Sequence, residues 1–286
     1  MKKRLIALAG VAAVKNRAQN LRHLPTTAVH QHRFLRKLNI ANAAVVADPP
    51  ALVQVGAVTP QASQSAVATA AVVAEPPAFV QVNAATPQTD QSSVALGYTG
   101  AQVAGDTNIV AIGWNNATSK ITSVTDSAGN TYQLAVPTAR GAGLSQAIYY
   151  APNIKAAAAG TNTVTVNFNT ATRYVDVRAV EYSGLDPVNP FDVGTSASGT
   201  SATANSGTVS TSAPNALIFG AGMTTGGFST AGTNFTTRII TAPDADIAED
   251  RIVTATGTYN ATAPLSGSAA WVMQIATFKA ASGTIV

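Results

Sequence analysis

The stretch Asp126-Ser-Ala-Gly-Asn130-Thr-Tyr132, with the apolar segment Asn108–Trp114 before it, decides the fold class. Gly129 accepts a positive φ at little steric cost and Asn130 tolerates the left-handed region, so this stretch predicts a tight turn. Thr131–Val136 then alternates in the manner of a half-buried strand. We therefore expect a strand, a turn and another strand, with Asp126 and Asn130 closing the turn through hydrogen bonds to the backbone.

The same pattern continues through the rest of the chain. Short strand candidates follow one another from about residue 78 to residue 280, separated by turns rich in Gly, Asn, Ser, Thr and Pro, and no segment shows a sustained helical period. This pattern predicts an all-β protein, with one antiparallel β-sandwich of jelly-roll-like type over residues 73–282. Residues 1–37 form a basic, signal-like leader in this interpretation, and residues 38–72 form a flexible segment.

The alternation of side chains within two of the candidate strands predicts which faces of these strands are buried. In Tyr174–Ser183, Asp176 and Arg178 share a face, where an ion pair can form, and Val175, Val177 and Ala179 share the other. Trp271–Phe278 is apolar on both faces. A strand of this kind is expected at the centre of a sheet that is covered on both sides.

Composition favours an exported all-β protein over a cytosolic enzyme. Of the 286 residues, 46% are hydrophobic and only 10% are charged, against roughly 25% charged in an ordinary soluble domain. There is no cysteine, and all three histidines (His23, His30 and His32) precede the predicted domain. This excludes disulfides, thiolate metal sites and histidine-based catalysis from the domain.

Charge is distributed unevenly along the chain. Residues 1–37 hold nine of the seventeen Lys and Arg residues and no acidic residue, whereas the remainder holds eight basic and thirteen acidic residues, a net charge of −5. The formal net charge of +4 therefore belongs to the leader, and we expect no nucleic-acid partner for the domain.

The first residues predict export. Met1–Arg4 is basic and Leu5–Val14 is apolar, which is the order found in a signal peptide; the alternative is an amphipathic helix that stays attached. Residues 15–37 are basic and polar, and we interpret them as leader, with binding to an anionic polymer as the alternative. The apolar run is too short to span a membrane, so we expect a secreted or cell-surface bacterial protein with no membrane span.

A repeat with a period of 27 residues precedes the strands. Val46–Val55 is echoed by Val73–Val82, and the match continues to Gln64-Ser65 and Gln91-Ser92. We call residues 46–70 the first copy and residues 73–97 the second copy. A unit this short has no core of its own, so we expect the second copy to supply the first strands of the domain. The first copy is then either loose or laid on a neighbouring sheet edge, where it would permit self-association through strand exchange.

Several runs carry a family resemblance: Ile109–Trp114, Ser123–Tyr132, Ile148–Asn153, Val180–Leu185 and Trp271–Gln274. Together they resemble uncharacterised bacterial extracellular β-sandwich domains from secreted and surface proteins of soil bacteria. The resemblance covers about residues 78–280 and implies a jelly-roll-like sandwich with an adhesive, carbohydrate-binding or structural function. It implies no catalytic residue.

The candidate glycan-binding residues are Trp114, Asn115, Asn116 and Tyr149. Trp114 ends its strand beside two amides, and exposed rings stack on sugar faces while amides bind hydroxyl groups. The alternative is that these aromatic rings belong to the core. A glycan or another cell-surface polymer is the partner that this hypothesis implies.

The candidate metal ligands are Asp244, Asp246, Glu249 and Asp250. Carboxylates in an irregular loop can bind Ca²⁺, which accepts six to eight oxygen ligands. The spacing is not that of an EF-hand, and the alternative is a solvated loop that enters a strand.

Hydrolysis of glycosides needs two carboxylates facing one cleft. Glu181 is the best candidate, with Asp176 or Asp126 as its partner, but Asp176 and Glu181 are an odd number of residues apart and should face opposite sides of a strand. We therefore predict a non-catalytic structural or adhesive module, not an enzyme. Carbohydrate binding is the alternative, and a carboxylate-based glycoside hydrolase is less favoured.

Overall fold

The computed structural model describes residues 76–282, and every regular element in that range is a β-strand. The strands in chain order are β1 (Ala78–Ala85), β2 (Gln91–Gly97), β3 (Thr107–Trp114), β4 (Ile121–Asp126), β5 (Gln133–Gly141), β6 (Leu144–Ala151), β7 (Thr163–Thr172), β8 (Asp176–Ser183), β9 (Phe191–Asn205), β10 (Val209–Ser210), β11 (Ala216–Thr224), β12 (Thr236–Ile240), β13 (Ile247–Val253), β14 (Thr258–Tyr259) and β15 (Thr262–Lys279).

These strands form four antiparallel sheets. Central sheet I has the order β1-β8-β3-β6-β5, and central sheet II has the order β9-β15-β11-β13-β12. An outer sheet has the order β2-β7-β4, and an outer ribbon pairs β10 with β14. The prediction of an all-β protein built from packed antiparallel sheets is confirmed. The more specific prediction of a jelly-roll arrangement is not confirmed.

The sheets are stacked so that both central sheets are buried on both faces. In β3, Ile109 and Ala111 face central sheet II, in a core that also contains Leu217 and Phe219. The alternate residues of β3 face the outer sheet, in a second core with Val94, Val164 and Val166. A third core covers the far face of central sheet II. This layering explains why β3, β8 and β11 are almost wholly buried.

The two halves of the domain share one topology. In the first half, the first and last strands (β1 and β8) are neighbours in the central sheet, followed by β3, β6 and β5. In the second half, the first and last strands (β9 and β15) are neighbours, followed by β11, β13 and β12. The pair β2–β7 outside the first half corresponds to the pair β10–β14 outside the second. Residues 76–282 therefore form two similar β units that pack through their larger sheets.

The predicted strand faces are confirmed. Asp176 and Arg178 lie on the face of β8 that meets central sheet II and form an ion pair, with 2.7 Å between the Arg178 Nε and an Asp176 carboxylate oxygen. The alternate residues Val177 and Ala179 face the outer sheet. Strand β15 lies between β11 and β9 and is buried on both faces along Trp271–Phe278, as its pattern predicted.

One predicted strand is wrong in extent, and other expectations lie outside the described residues. The sequence pattern of Ala248–Tyr259 predicts a single strand. In the structure this segment belongs to two strands, β13 and β14, because the chain turns between them to place β14 in the outer ribbon. The leader (1–37) and the flexible segment (38–72) are not among the described residues. The second copy of the repeat supplies β1 and β2, as expected.

The Asp126–Tyr132 stretch forms the predicted turn. Gly129 has a φ of 72°, and its N–H donates to the Asp126 carbonyl at 3.1 Å. The Asn130 N–H donates to Asp126 Oδ1 at 2.9 Å, and Asn130 Oδ1 accepts from the N–H of Lys155 at 2.9 Å. Burial opposes ionisation of Asp126, but hydrogen bonds from Asn130, Asn162 and Tyr132 outweigh it and lower the pKa of this carboxyl.

Among the described residues, no helix is long and apolar enough to cross a membrane.

Close packing beside central sheet II predicts that Gly222→Ala is destabilising. A Cβ atom at Gly222 would lie 2.5 Å from Phe228 Cζ and 2.8 Å from Met273 Sδ. Both of these side chains are buried, so the free energy of unfolding should fall by about 1–3 kcal/mol. Gly97→Ala is the matched control, because its nearest neighbour would be at an ordinary 3.8 Å. Urea unfolding of both variants measures the difference, and equal stabilities would contradict the packing.

Candidate functional site

A cleft lies where β3, β8, β11 and the loop before β13 come together. It has a volume of about 280 Å³. The lining residues are Asn115, Tyr174, Met223, Thr224, Thr225, Gly226, Pro243, Asp244 and Asp246. We call this the acidic cleft, because its two ionisable acids are Asp244 and Asp246 and no Lys or Arg lines it.

The loop between β12 and β13 holds the two acids in place. Its turn is closed by two backbone hydrogen bonds: the N–H of Ala245 donates to the Thr241 carbonyl at 2.8 Å, and the N–H of Thr241 donates to the Asp246 carbonyl at 2.9 Å. Asp246 is only 1% exposed, and its Oδ1 accepts from the N–H of Thr224 at 2.9 Å. Both carboxylate oxygens of Asp244 accept from the side-chain amide of Gln88 at 3.0 Å.

A buried guanidinium lies behind the cleft. Arg178 pairs with Asp176, and its Nη1 donates to the carbonyls of Gly222 at 2.8 Å and Ile247 at 2.5 Å. Its Nη2 donates to Gln146 Oε1 at 2.8 Å. Both terminal nitrogens of the guanidinium therefore donate hydrogen bonds inside the protein, and Nε lies in ion-pair contact with Asp176.

Burial sets the protonation of the acids in this region. Burial raises the pKa of Asp246 well above its usual range; the neighbouring Asp176 adds to this effect, and Arg178 opposes it. Burial likewise raises the pKa of Asp176, although the adjacent Arg178 and the Thr241 hydroxyl favour its charged form. Two adjacent carboxyls that share one guanidinium do not both ionise readily.

The structure separates the predicted glycan-binding residues. Trp114 is 0% exposed and packs edge-on against Phe168, with ring centroids 5.4 Å apart. The expectation of an exposed Trp114 ring is therefore wrong, because the outer sheet covers the end of β3. Tyr149 is half-buried against the same core, and the Asn116 side chain accepts from the N–H groups of Thr118 and Ser119 in a local turn.

Only Asn115 of that group reaches the acidic cleft, where it meets Tyr174. Its N–H donates to the Arg173 carbonyl at 3.1 Å, and Tyr174 has a φ of 49°. Sequence reasoning placed Tyr174 at the start of β8 instead of on the turn before it. The sequence carries only a weak signal for this turn, because a positive φ is uncommon for an aromatic residue.

The four predicted calcium ligands do not converge. Glu249 and Asp250 are adjacent on β13 and so face opposite sides of central sheet II. Glu249 accepts from the N–H of Gly232 at 2.7 Å, whereas Asp250 accepts from the Tyr182 hydroxyl at 2.6 Å. Within residues 76–282, no group of three or more acidic, His or Cys side chains is placed to hold a metal ion. The predicted calcium site over Asp244, Asp246, Glu249 and Asp250 is therefore wrong.

Glu181, the predicted catalytic candidate, has a structural role. Glu181 is fully buried, and its Oε2 accepts from the Gln81 side-chain amide at 2.5 Å across the β1–β8 pair. Asp176 faces central sheet II, the opposite side of β8, as the odd spacing predicted. Asp126 accepts hydrogen bonds within its own turn. These carboxyls do not share a cleft.

Comparison of the chain with protein-family models, curated proteins and solved structures found no match. The resemblance to extracellular bacterial β-sandwich domains therefore stays a prediction.

The stability of the domain should fall as pH rises from about 5 to about 8. Burial raises the pKa of Glu249 from 4.5 to about 8. Between those values the folded protein keeps a proton that the unfolded chain has released, so rising pH favours unfolding by up to about 1.4 kcal/mol per pH unit. Glu249→Gln should reduce this slope by about one proton, because the amide does not titrate.

Urea unfolding at several pH values between 5 and 8 checks this expectation. Asp186→Asn is the control, since hydrogen bonds from the N–H groups of Val188 and Asn189 lower the pKa of Asp186. That variant should keep the wild-type slope above pH 5. Identical slopes for wild type and Glu249→Gln would show that Glu249 is ionised in the folded protein.

Proposed function

We propose that this chain is a non-catalytic structural or adhesive module of a secreted or cell-surface protein, and that it self-associates by strand exchange. One observation carries the proposal. The second copy of the repeat forms β1 and β2, and each of these strands lies at the edge of its sheet. The chain thus contains, in residues 46–70, a second sequence of the kind that occupies those two edges.

The edge positions make an exchange topologically simple. Within residues 76–282, β1 pairs only with β8, and β2 pairs only with β7. A segment that replaces both strands has to form only these two ladders and disturbs no other pairing. Edge ladders are the usual place for strand addition between chains.

The residues that anchor β1 and β2 recur in the first copy. Gln81 donates to buried Glu181 and accepts from the N–H of Gly100 at 2.8 Å, and Gln54 occupies the same place in the repeat. Val82 and Val94, which contact the two cores of the first half, correspond to Val55 and Val67. We expect these three residues of one molecule to take the matching places in a second molecule.

Two differences favour the chain's own strands. Phe79 packs on Tyr182 at 6.1 Å between ring centroids and lies beneath the Arg238 guanidinium at 4.2 Å, whereas the first copy has Leu52. Buried Leu96 is replaced by Thr69. The first copy should therefore bind more weakly, and exchange should depend on protein concentration.

The acidic groups support a non-catalytic role. Asp176, Glu181, Glu249 and Asp250 are buried, and each forms a hydrogen bond or ion pair that joins strands or loops. The signal-like start of the sequence and its polar, charge-poor composition support a secreted or cell-surface location.

Self-association should require the first copy. The full chain should form oligomers that grow with concentration, and a variant that lacks residues 46–70 should remain monomeric in light scattering. Gln54→Ala should weaken association about tenfold or more, because it leaves Glu181 of the second molecule without its donor. The control is Ser65→Ala, whose counterpart Ser92 is exposed.

Other outcomes of these experiments would contradict strand exchange. If the full chain is monomeric at high concentration, or if removal of residues 46–70 leaves its oligomers unchanged, strand exchange does not occur. If Gln54→Ala and Ser65→Ala weaken association equally, the first copy does not dock in the place of β1.

A further inference from the structure

We propose that Arg238 decides which copy of the repeat occupies the place of β1, because its guanidinium selects a strand with an aromatic side chain at one position. The second copy has Phe79 there, and the first copy has Leu52. Selection of this kind rests on the proposed strand exchange, in which the two copies compete for one sheet edge.

Two edge strands meet at this position. Phe79 lies on β1, at the edge of central sheet I, and Arg238 lies on β12, at the edge of central sheet II. The guanidinium carbon of Arg238 is 4.2 Å from the centroid of the Phe79 ring, well inside the range of about 6 Å over which an aromatic face attracts a cation. The side chain at position 79 therefore contacts the second half of the domain as well as its own sheet.

The groups around the Phe79 ring are held by contacts that do not involve Phe79. Arg238 Nε donates to Asp250 Oδ2 at 2.8 Å, and the Tyr182 hydroxyl donates to the same oxygen at 2.6 Å. The Asp250 side chain is only 2% exposed. The Tyr182 ring meets the Phe79 ring edge-on, with the centroids 6.1 Å apart. We call the space between Arg238 and Tyr182 the aromatic recess. Because one buried carboxylate fixes both of its walls, the recess is preorganised for whichever copy enters it.

The aromatic recess discriminates between the copies by chemistry as well as by size. A Phe ring offers the guanidinium a negative π face and offers Tyr182 an edge-to-face partner. Leu52 can fill part of the same volume, but its aliphatic side chain has neither property. A strand should therefore bind best when it carries an aromatic residue two positions before the Gln that pairs with Glu181.

The other apolar difference between the copies lies in a separate core. Leu96, which Thr69 replaces, packs in the core beneath the outer sheet. Phe79 packs against the core between the two central sheets. Substitutions at positions 52 and 79 therefore test the aromatic recess alone.

Two substitutions that act from opposite sides test the selection in the full chain. Leu52→Phe gives the first copy the aromatic side chain, and Phe79→Leu removes it from the second copy. Each should strengthen association about tenfold in light scattering, since a cation–π contact and an aromatic pair together reach that range. Val80→Ala is the matched control on the same strand, because Val80 is 39% exposed, and it should change association less than about threefold.

Removal of the guanidinium shows whether Arg238 causes the selection. In an Arg238→Met background, Leu52→Phe and Phe79→Leu should each change association by less than about threefold, because only the Tyr182 contact remains. Circular dichroism shows whether Arg238→Met folds. Arg238→Lys takes its place if it does not, because a compact ammonium bonded to Asp250 cannot also lie flat over the ring.

The outcomes separate selection by Arg238 from strand exchange itself. Association that requires residues 46–70 but responds equally to Leu52→Phe with and without the guanidinium would overturn the role of Arg238 and leave strand exchange intact. Association that Leu52→Phe and Phe79→Leu leave unchanged in the presence of Arg238 would do the same. If the wild type and all variants are monomeric, both proposals are overturned.

Discussion

The guanidinium of Arg178 joins the two halves of the protein. It extends from β8 in central sheet I and donates to the carbonyls of Gly222 and Ile247 in central sheet II. A charge in a dry interface is costly unless it is paired and hydrogen-bonded. Asp176 and Gln146 supply the remaining partners. The two sheets are therefore held in one register, because a shift of either would leave a buried charge without partners.

Other polar bonds across the same interface follow from that register. Gln146 donates to the Ala221 carbonyl at 2.9 Å, and Tyr182 donates to Asp250. The loop that carries Asp246 is tied to the pair through Thr241, whose hydroxyl donates to Asp176 at 2.5 Å. The same interface thus also positions Asp246 at the floor of the acidic cleft, where burial raises the pKa of its carboxyl.

Local features of the chain could be predicted and non-local ones could not. Strand alternation placed Asp176 and Arg178 on one face, and turn chemistry identified the Asp126–Tyr132 corner, because both depend on neighbouring residues. The burial of Trp114 depends on an outer sheet formed by β2, β7 and β4, which are distant in sequence. The acidic cleft likewise joins Tyr174 to Asp246 across two sheets. The error at Glu249 and Asp250 was avoidable, since adjacent strand residues face opposite sides.

The most direct test of the role of Arg178 is the free energy of unfolding in a double-mutant cycle. Arg178→Met should destabilise the domain by about 3–5 kcal/mol, because it leaves Asp176 buried without its counter-ion. Asp176→Asn in the same chain should restore part of that loss, so the double variant should cost at least about 1 kcal/mol less than the sum of the single variants. Arg173→Met, with a side chain 61% exposed, should change stability by less than about 0.5 kcal/mol. An Arg178→Met variant as stable as Arg173→Met, or strictly additive effects, would contradict the account.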